Sequence, residues 1–155
     1  MESLSEKIYL FNRQINLIPS KTTLSKLIAP CGMNCGLCIG FLREKNTCVG
    51  CWFEDGYKGS YCKTCIIRNC EQIAANASGF CYDCPRYPCK RLKQLDKRYK
   101  TKYHMSMIEN LESIKTIGLD AFVTQNNQKW TCPDCGARLS VHRKKCLKCG
   151  KTIFT

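Results

Sequence analysis

Cysteine is the residue that most constrains this chain: 15 of its 155 residues are cysteines, and most stand in Cys-x2-Cys pairs. One tight turn with that spacing can direct two sulfurs at a single metal ion. An odd number of cysteines cannot be fully paired in disulfides. Apolar residues reach 44% only when the cysteines are counted, so the core needs help from cross-links or metal. The pattern favours metal.

The expected cellular compartment points the same way. Residues 1–20 lack the basic start, the continuous apolar stretch and the small-residue cleavage site of a secretory signal. No segment approaches the roughly 20 apolar residues of a membrane span. We therefore expect a cytoplasmic protein with no membrane partner, whose thiols stay reduced and available to zinc.

The last four cysteines form the strongest motif. Cys132-Pro-Asp-Cys135-Gly is followed ten residues later by Cys146-Leu-Lys-Cys149-Gly. The glycine after each pair permits a tight turn, and two such knuckles complete a tetrahedron around zinc, as in a zinc ribbon. His142 could be a spare ligand, but four cysteines already fill the zinc shell. A surface or supporting role is expected for it.

Residues 30–89 hold the other eleven cysteines, and Cys62-x2-Cys65-x4-Cys70 is repeated as Cys81-x2-Cys84-x4-Cys89. The four Cys-x2-Cys pairs can form two zinc sites, either in chain order or interleaved. The three remaining cysteines form a third site with another ligand, replace members of the pairs, or are buried free thiols. The candidate ligands are Cys35, Cys38, Cys48, Cys51, Cys62, Cys65, Cys81 and Cys84, with Cys31, Cys70 and Cys89 as further candidates.

The expected metal content follows from this count. We expect about three zinc ions per chain, counting the ribbon. A fourth ion would use all fifteen cysteines and one more ligand, either His104 or His142.

Iron–sulfur clusters are the alternative cofactor, because four thiolates also suit them. The Cys31-x3-Cys35-x2-Cys38 spacing occurs around the [4Fe–4S] cluster of radical enzymes that use S-adenosylmethionine. Those enzymes need a large α/β barrel, which 155 residues without βα alternation cannot form. A small iron–sulfur carrier remains open.

The chain divides into four parts by composition: a lead-in (1–29), a cysteine-rich multi-zinc body (30–89), a helical segment packing on it (90–129) and the ribbon (130–155). In the lead-in, Leu24 to Ile28 suggests a short strand or turn. The predicted fold class is a small metal-stabilised α+β fold, with an irregular zinc-knuckle body, central helices and a C-terminal zinc ribbon.

Three helices are predicted in the central segment. The first is indicated by apolar residues on one face, the second by Ser106 and Glu109 in a capping box, and the third by a cap at Asp120. Gly118 is placed to end the second helix. The residues expected to face the core are Leu92, Leu95, Tyr99, Met107, Leu111, Ile114, Ala121, Phe122 and Val123.

The formal charge of +13 overstates how basic the protein is, since zinc-bound thiolates are negative. Three four-thiolate sites would lower it to about +7. The excess is concentrated in residues 90–119, with eight basic and three acidic residues, and residues 120–155, with seven and two. These cations could neutralise phosphates while tyrosines stack on unpaired bases; alternatively, they form a solvated face over buried tyrosines. The candidate nucleic-acid-binding residues are Lys97, Arg98, Tyr99, Lys100, Lys102, Tyr103, Arg143, Lys144 and Lys145.

The order of motifs resembles the domain of unknown function 3795 family, cysteine-rich proteins of bacteria and archaea taken to bind zinc. The similarity extends over most of residues 28–150. The resemblance implies zinc and a cytoplasmic location, and it implies no activity. It is carried by Ile28-Ala-Pro-Cys31-Gly-Met-Asn-Cys35-Gly-Leu-Cys38, Cys48-Val-Gly-Cys51, Cys62-x2-Cys65-Ile-Ile-Arg-Asn-Cys70, Cys81-Tyr-Asp-Cys84-Pro-Arg-Tyr-Pro-Cys89 and Trp130-Thr-Cys132-Pro.

Three functions fit these residues. The first is a non-enzymatic zinc module that binds RNA or single-stranded DNA, and the second is an adaptor that docks onto a protein assembly. The third is an iron–sulfur or thiol-based redox protein. Catalytic zinc keeps an open position and usually has mixed ligands, whereas this chain has only two histidines and no His-Glu motif. A structural zinc protein that binds a macromolecule is therefore expected over an enzyme.

Overall fold

The computed structural model describes residues 24–154, so the predicted lead-in lies mostly outside the described residues. The cysteine-rich body contains only short elements, as expected from its closely spaced glycines and cysteines. They are the 3-10 turns Cys35–Leu37 and Cys81–Asp83 and the short helices α1 (Ile39–Leu42), α2 (Ser60–Lys63) and α3 (Glu71–Ala75).

Three longer helices follow the body, which confirms the prediction for the central segment. They are α4 (Lys90–Tyr103), α5 (Met107–Ile117) and α6 (Leu119–Lys129). None of the six helices in the described part combines the length and apolar character needed to cross a membrane.

The β part of the predicted α+β fold is reduced to three isolated bridges within residues 24–154. Strands usually need about five residues, and here a turn interrupts the chain before that length is reached. The fold is therefore helical with irregular connections. The bridges join Ile28 to Asn34, Thr131 to Arg138 and Lys145 to Thr152.

The junction between α4 and α5 is built around two polar side chains. Ser106 caps α5 as predicted, its Oγ accepting from the Glu109 N–H at 3.0 Å. The Ser106 hydroxyl donates to Asp96 Oδ1 at 2.7 Å, and the Ile108 N–H donates to the same oxygen at 3.1 Å. Burial opposes ionisation of Asp96, but these bonds and the charge of Lys100 together hold its pKa below the usual range.

The junction between α5 and α6 differs from the prediction. Gly118 does end α5, with φ at +87°, a conformation that glycine adopts readily. The cap predicted at Asp120 is wrong, because α6 begins at Leu119 and Gly118 itself is the preceding residue. Asp120 instead accepts a hydrogen bond from the Ser25 hydroxyl at 3.0 Å, which ties the start of the described chain to α6.

The centre of the core is the segment 27–37, which lies between the helices and the rest of the body. Leu27, Ile28 and Leu37 are among its buried residues. Gly32 adopts a φ of +87°, and a Cβ there would lie 2.8 Å from the Met107 carbonyl oxygen of α5. Only glycine allows this approach of the two backbones. Part of the predicted lead-in is thus central to the core.

Asn34 links this segment to α6 through buried hydrogen bonds. Its Nδ2 donates to Asn126 Oδ1 at 2.9 Å, and its Oδ1 accepts from the Gly36 N–H at 3.0 Å. Asn34 and Asn126 are 2% and 7% exposed, so water cannot replace either partner.

Replacing Asn34 by alanine would leave the side-chain oxygen Oδ1 of Asn126 and the Gly36 N–H without their partners. We expect Asn34→Ala to lower the free energy of unfolding by about 2–4 kcal/mol, since each orphaned buried group costs about 1–3 kcal/mol. Denaturant unfolding of the purified protein measures this. Asn69→Ala is the matched control, because the exposed Asn69 bonds only to a backbone oxygen and its neighbour Arg68. Equal stability of the two variants would contradict the role given to Asn34.

Candidate metal centres

The first knuckle of the predicted ribbon begins just after α6. The Cys132 N–H donates to the Ala137 carbonyl at 2.8 Å, and the Gly136 N–H donates back to the Cys132 carbonyl at 2.9 Å. Gly136 has a φ of +69°, which lets the chain reverse directly after Cys135.

The second knuckle repeats the first bond for bond. The Cys146 N–H donates to the Lys151 carbonyl at 2.8 Å, and the Gly150 N–H donates to the Cys146 carbonyl at 3.0 Å. Gly150 has a φ of +75°. The Lys151 ammonium also pairs with Asp134 of the first knuckle at 2.6 Å, so the two turns are held face to face.

The four sulfurs of the two knuckles converge. Cys132 Sγ lies 3.7 Å from Cys149 Sγ, Cys135 Sγ lies 3.6 Å from Cys146 Sγ, and all four lie within 4.8 Å of one another. A tetrahedral zinc ion with Zn–S bonds of about 2.3 Å requires sulfurs about 3.8 Å apart. These cysteines therefore form a group that can hold a metal ion, and their spacing fits zinc.

Backbone N–H donors lower the pKa of one cysteine in this group. The N–H groups of Cys149 and Lys148 point at the sulfur of Cys146 and hold its pKa at about 6, below the ordinary value for a thiol. Metal binds the thiolate, so these donors favour the form that binds. Cys132 and Cys146 are buried, whereas Cys149 is exposed.

Short backbone contacts fasten the ribbon to the rest of the protein. The Leu139 N–H donates to the Trp130 carbonyl at 2.8 Å, and the Val141 N–H donates to the Leu37 carbonyl of the central segment at 3.0 Å. Leu139, Val141 and Trp130 are all at most 3% exposed. The metal group is thus continuous with the core.

Neither histidine is placed as a zinc ligand in the described structure. The Ile39 N–H donates to His142 Nδ1 at 3.3 Å, which leaves the proton on Nε2 to bond the Tyr99 hydroxyl at 3.0 Å. Burial and the charge of Arg143 lower the pKa of His142, which favours this neutral form. His104 stacks on Phe154, with ring centroids 5.3 Å apart.

The body cysteines are more widely spaced than those of the ribbon. Within residues 24–154, the ribbon is the only group of three or more potential ligands whose atoms all lie within 4.8 Å. The body cysteines nonetheless form groups of neighbours, and neighbouring sulfurs shift one another's pKa values.

One neighbourhood surrounds Cys51. Interaction with the neighbouring Cys35 thiol, together with the charges of Arg68 and Lys58, lowers the Cys51 pKa to about 7. Arg68 and Lys58 also donate to the Cys51 carbonyl, at 2.8 and 3.3 Å, and both pair with Glu54. Sequence reasoning missed these two cations. Their only signal is two isolated basic residues in a nearly neutral body.

A second neighbourhood contains Cys38, Cys48 and Cys62. Burial and the nearby sulfurs of Cys48, Cys51 and Cys38, in that order, raise the pKa of Cys62 to about 11. The Cys38 sulfur accepts from the Gly40 N–H at 3.4 Å. Cys62 thus lies near cysteines of the first two pairs.

The candidate nucleic-acid-binding residues fall into two groups. The lysines and arginines are all exposed, whereas Tyr99 and Tyr103 are half-buried against His142, with ring centroids 5.7 and 4.8 Å from it. This packing favours a structural role for the tyrosines over base stacking. The exposed cations are Lys97, Arg98, Lys100, Lys102, Arg143, Lys144 and Lys145.

Comparisons of the chain with protein-family models, with curated proteins and with solved structures find no match.

We expect Cys149→Ser to remove one zinc ion per chain, since the exposed Cys149 completes the ribbon tetrahedron. Elemental analysis of the purified protein measures this. Lys148→Ser is the matched control, because it alters the neighbouring exposed position and keeps all four sulfurs. Equal zinc content in the two variants would contradict the ribbon site.

Removing all metal with a strong chelator is expected to lower the melting temperature sharply. A structural zinc ion contributes on the order of 10 kcal/mol of binding free energy, which becomes folding free energy when the unfolded chain lacks the site. An unchanged melting temperature after the metal is shown to be gone would contradict structural metal in this protein.

Proposed function

We propose that this protein is a cytoplasmic zinc-held module that binds RNA or single-stranded DNA through a basic surface. The four ribbon cysteines hold one zinc ion, and the body cysteines hold the rest. The zinc is structural, because four thiolates leave no open position for substrate or water. Membership of the domain of unknown function 3795 family stays a prediction, and it supplies no activity.

The observation that carries the proposal is the hydrogen bond between Tyr99 of α4 and His142 of the ribbon, at 3.0 Å. In the sequence, the basic cluster of residues 97–102 and the basic cluster of residues 143–145 are about forty residues apart. This contact brings the C-terminal half of α4 beside the ribbon loop 142–145. Arg98 and Lys102 on one element and Arg143 and Lys144 on the other then contribute to a single positive surface.

The cations of this surface are available to a ligand. Across the described ranges, no acidic side chain pairs with Arg98, Lys102, Arg143 or Lys144. Lys100 differs from them, because its ammonium lies 3.5 Å from Asp96 and 3.7 Å from Glu109. We therefore assign Lys100 to the α4–α5 junction and take Arg98, Lys102, Arg143 and Lys144, two from each element, as the ligand contacts to be tested.

The half-buried tyrosines define the mode of binding. Because Tyr99 and Tyr103 pack on His142, they position the two basic elements and are not free platforms for bases. Recognition would then rest on phosphates, with strong salt dependence and little sequence preference. An adaptor for an acidic protein surface is the competing function. It is distinguished by partners that survive ribonuclease.

The test compares Arg98→Gln/Lys102→Gln/Arg143→Gln/Lys144→Gln with the parent protein, using a fluorescent single-stranded RNA and DNA at several salt concentrations. We expect the parent protein to bind below about 10 μM. Each phosphate contact contributes about −0.7 to the slope of log K against log salt for single strands. Loss of four contacts should therefore reduce the magnitude of that slope by about 3, and weaken binding at least about tenfold at 0.1 M salt.

The control is Lys115→Gln/Lys129→Gln, which removes exposed charges of α5 and α6 outside the two clusters. It should bind nearly as the parent does. Failure of the parent protein to bind either strand at low salt would overturn the proposal. If both variants bind equally weakly, binding depends only on total charge. That result would also overturn the assignment of this surface.

A further inference from the structure

A small cavity lies where the end of the body meets the start of α4. Four cysteines line it, together with apolar side chains such as Ile67, Ile73 and Leu92. Its volume is about 30 Å³. Pockets for organic ligands usually measure about 300–1,000 Å³, so this one suits a single ion. The four cysteines are Cys70, Cys81, Cys84 and Cys89.

The four cysteines share this cavity with mostly apolar side chains. Thiolates are costly to bury without a counter-charge, and a cation among the four sulfurs would supply that charge.

The local backbone resembles that of a metal knuckle. Cys81 and Cys84 lie in one turn closed by the Cys84 N–H donating to the Cys81 carbonyl at 3.1 Å. The Arg86 N–H donates to the Cys84 sulfur at 3.4 Å. Cys89 directly precedes α4, a helix of 14 residues whose amino end favours a neighbouring negative charge.

The position of the fourth cysteine, Cys70, beside the cavity is fixed by packing of the core. Cys70 directly precedes α3, and Ile73 on that helix is buried beside the cavity. The Cys81 N–H donates to the Pro30 carbonyl of the central segment at 2.9 Å, which holds the knuckle against the same core. Cys70 and the knuckle thus reach the cavity from two separate elements.

We propose that Cys70, Cys81, Cys84 and Cys89 form a second four-thiolate zinc site, separate from the ribbon. Unlike the ribbon sulfurs, these four do not all lie within 4.8 Å of one another. Ion binding would draw them together into the cavity and release the thiol protons. This rests on the part of the proposed function that gives zinc to the body cysteines, and it assigns Cys81 and Cys84 to partners other than Cys62 and Cys65.

The test measures zinc per chain in Cys84→Ser, Cys89→Ser and the double variant. Each single variant should lose one zinc ion, and the double variant should also lose one, because both cysteines hold the same ion. Adding Cys149→Ser to the double variant should remove a second ion. Gln72→Ala is the control, since Gln72 lines the same cavity without a sulfur, and it should lose none.

A double variant that keeps the parent's zinc, or loses two ions, would overturn the proposal.

Should the variants fail to fold, alkylation of the native protein followed by peptide mass spectrometry decides instead. Cys70, Cys84 and Cys89 are partly exposed, so without metal they would react. We expect all three to be protected and to become reactive together on chelation. Reaction of any one at the rate of a free thiol would reject the site. The basic surface is untouched by these variants, so this outcome is independent of nucleic-acid binding.

Discussion

The structure depends on the segment 27–39, most of which is buried, so that its buried polar backbone groups need partners inside the protein. Those partners come from every described part of the chain, so this one segment holds them together. Three metal-ligand candidates, at positions 31, 35 and 38, lie on the same segment. A metal ion held by these cysteines would therefore be coupled directly to core packing. The partners include the Trp52 Nε1–H to Ile28, the Cys81 N–H to Pro30, Asn110 Nδ2 to Gly32, and the Val141 N–H to Leu37.

The four-cysteine group of residues 132–149 could be predicted from the sequence because all of its determinants are local. Each knuckle is closed by bonds between residues no more than five apart, and glycine supplies the reversal at Gly136 and Gly150. Only ten residues separate the two pairs, so few alternative partners exist. The cap at Ser106 was predictable for the same reason, since its hydroxyl bonds a backbone group three residues away.

The arrangement of the body could not be predicted, because equal Cys-x2-Cys pairs have no local preference for one partner. Packing decides which pairs meet. The Cys81 knuckle is held by Pro30, fifty-one residues earlier, and Cys62 lies near the Cys38 and Cys48 neighbourhood. The same principle explains the missed start of α6. Asp120 is a good cap by local chemistry, but the distant Ser25 hydroxyl bonds its carboxylate inside the helix.

The buried cations of the body and the exposed cations of α4 and the ribbon loop have different surroundings. In the body, Lys58 is 5% exposed, and burying an ammonium is costly unless negative groups face it. Glu54 lies 3.9 Å from the Lys58 ammonium, which also donates to the Cys51 carbonyl at 3.3 Å. The nearly neutral body therefore balances its cations internally. The excess positive charge remains on α4 and the ribbon loop, which the contact between Tyr99 and His142 holds beside each other.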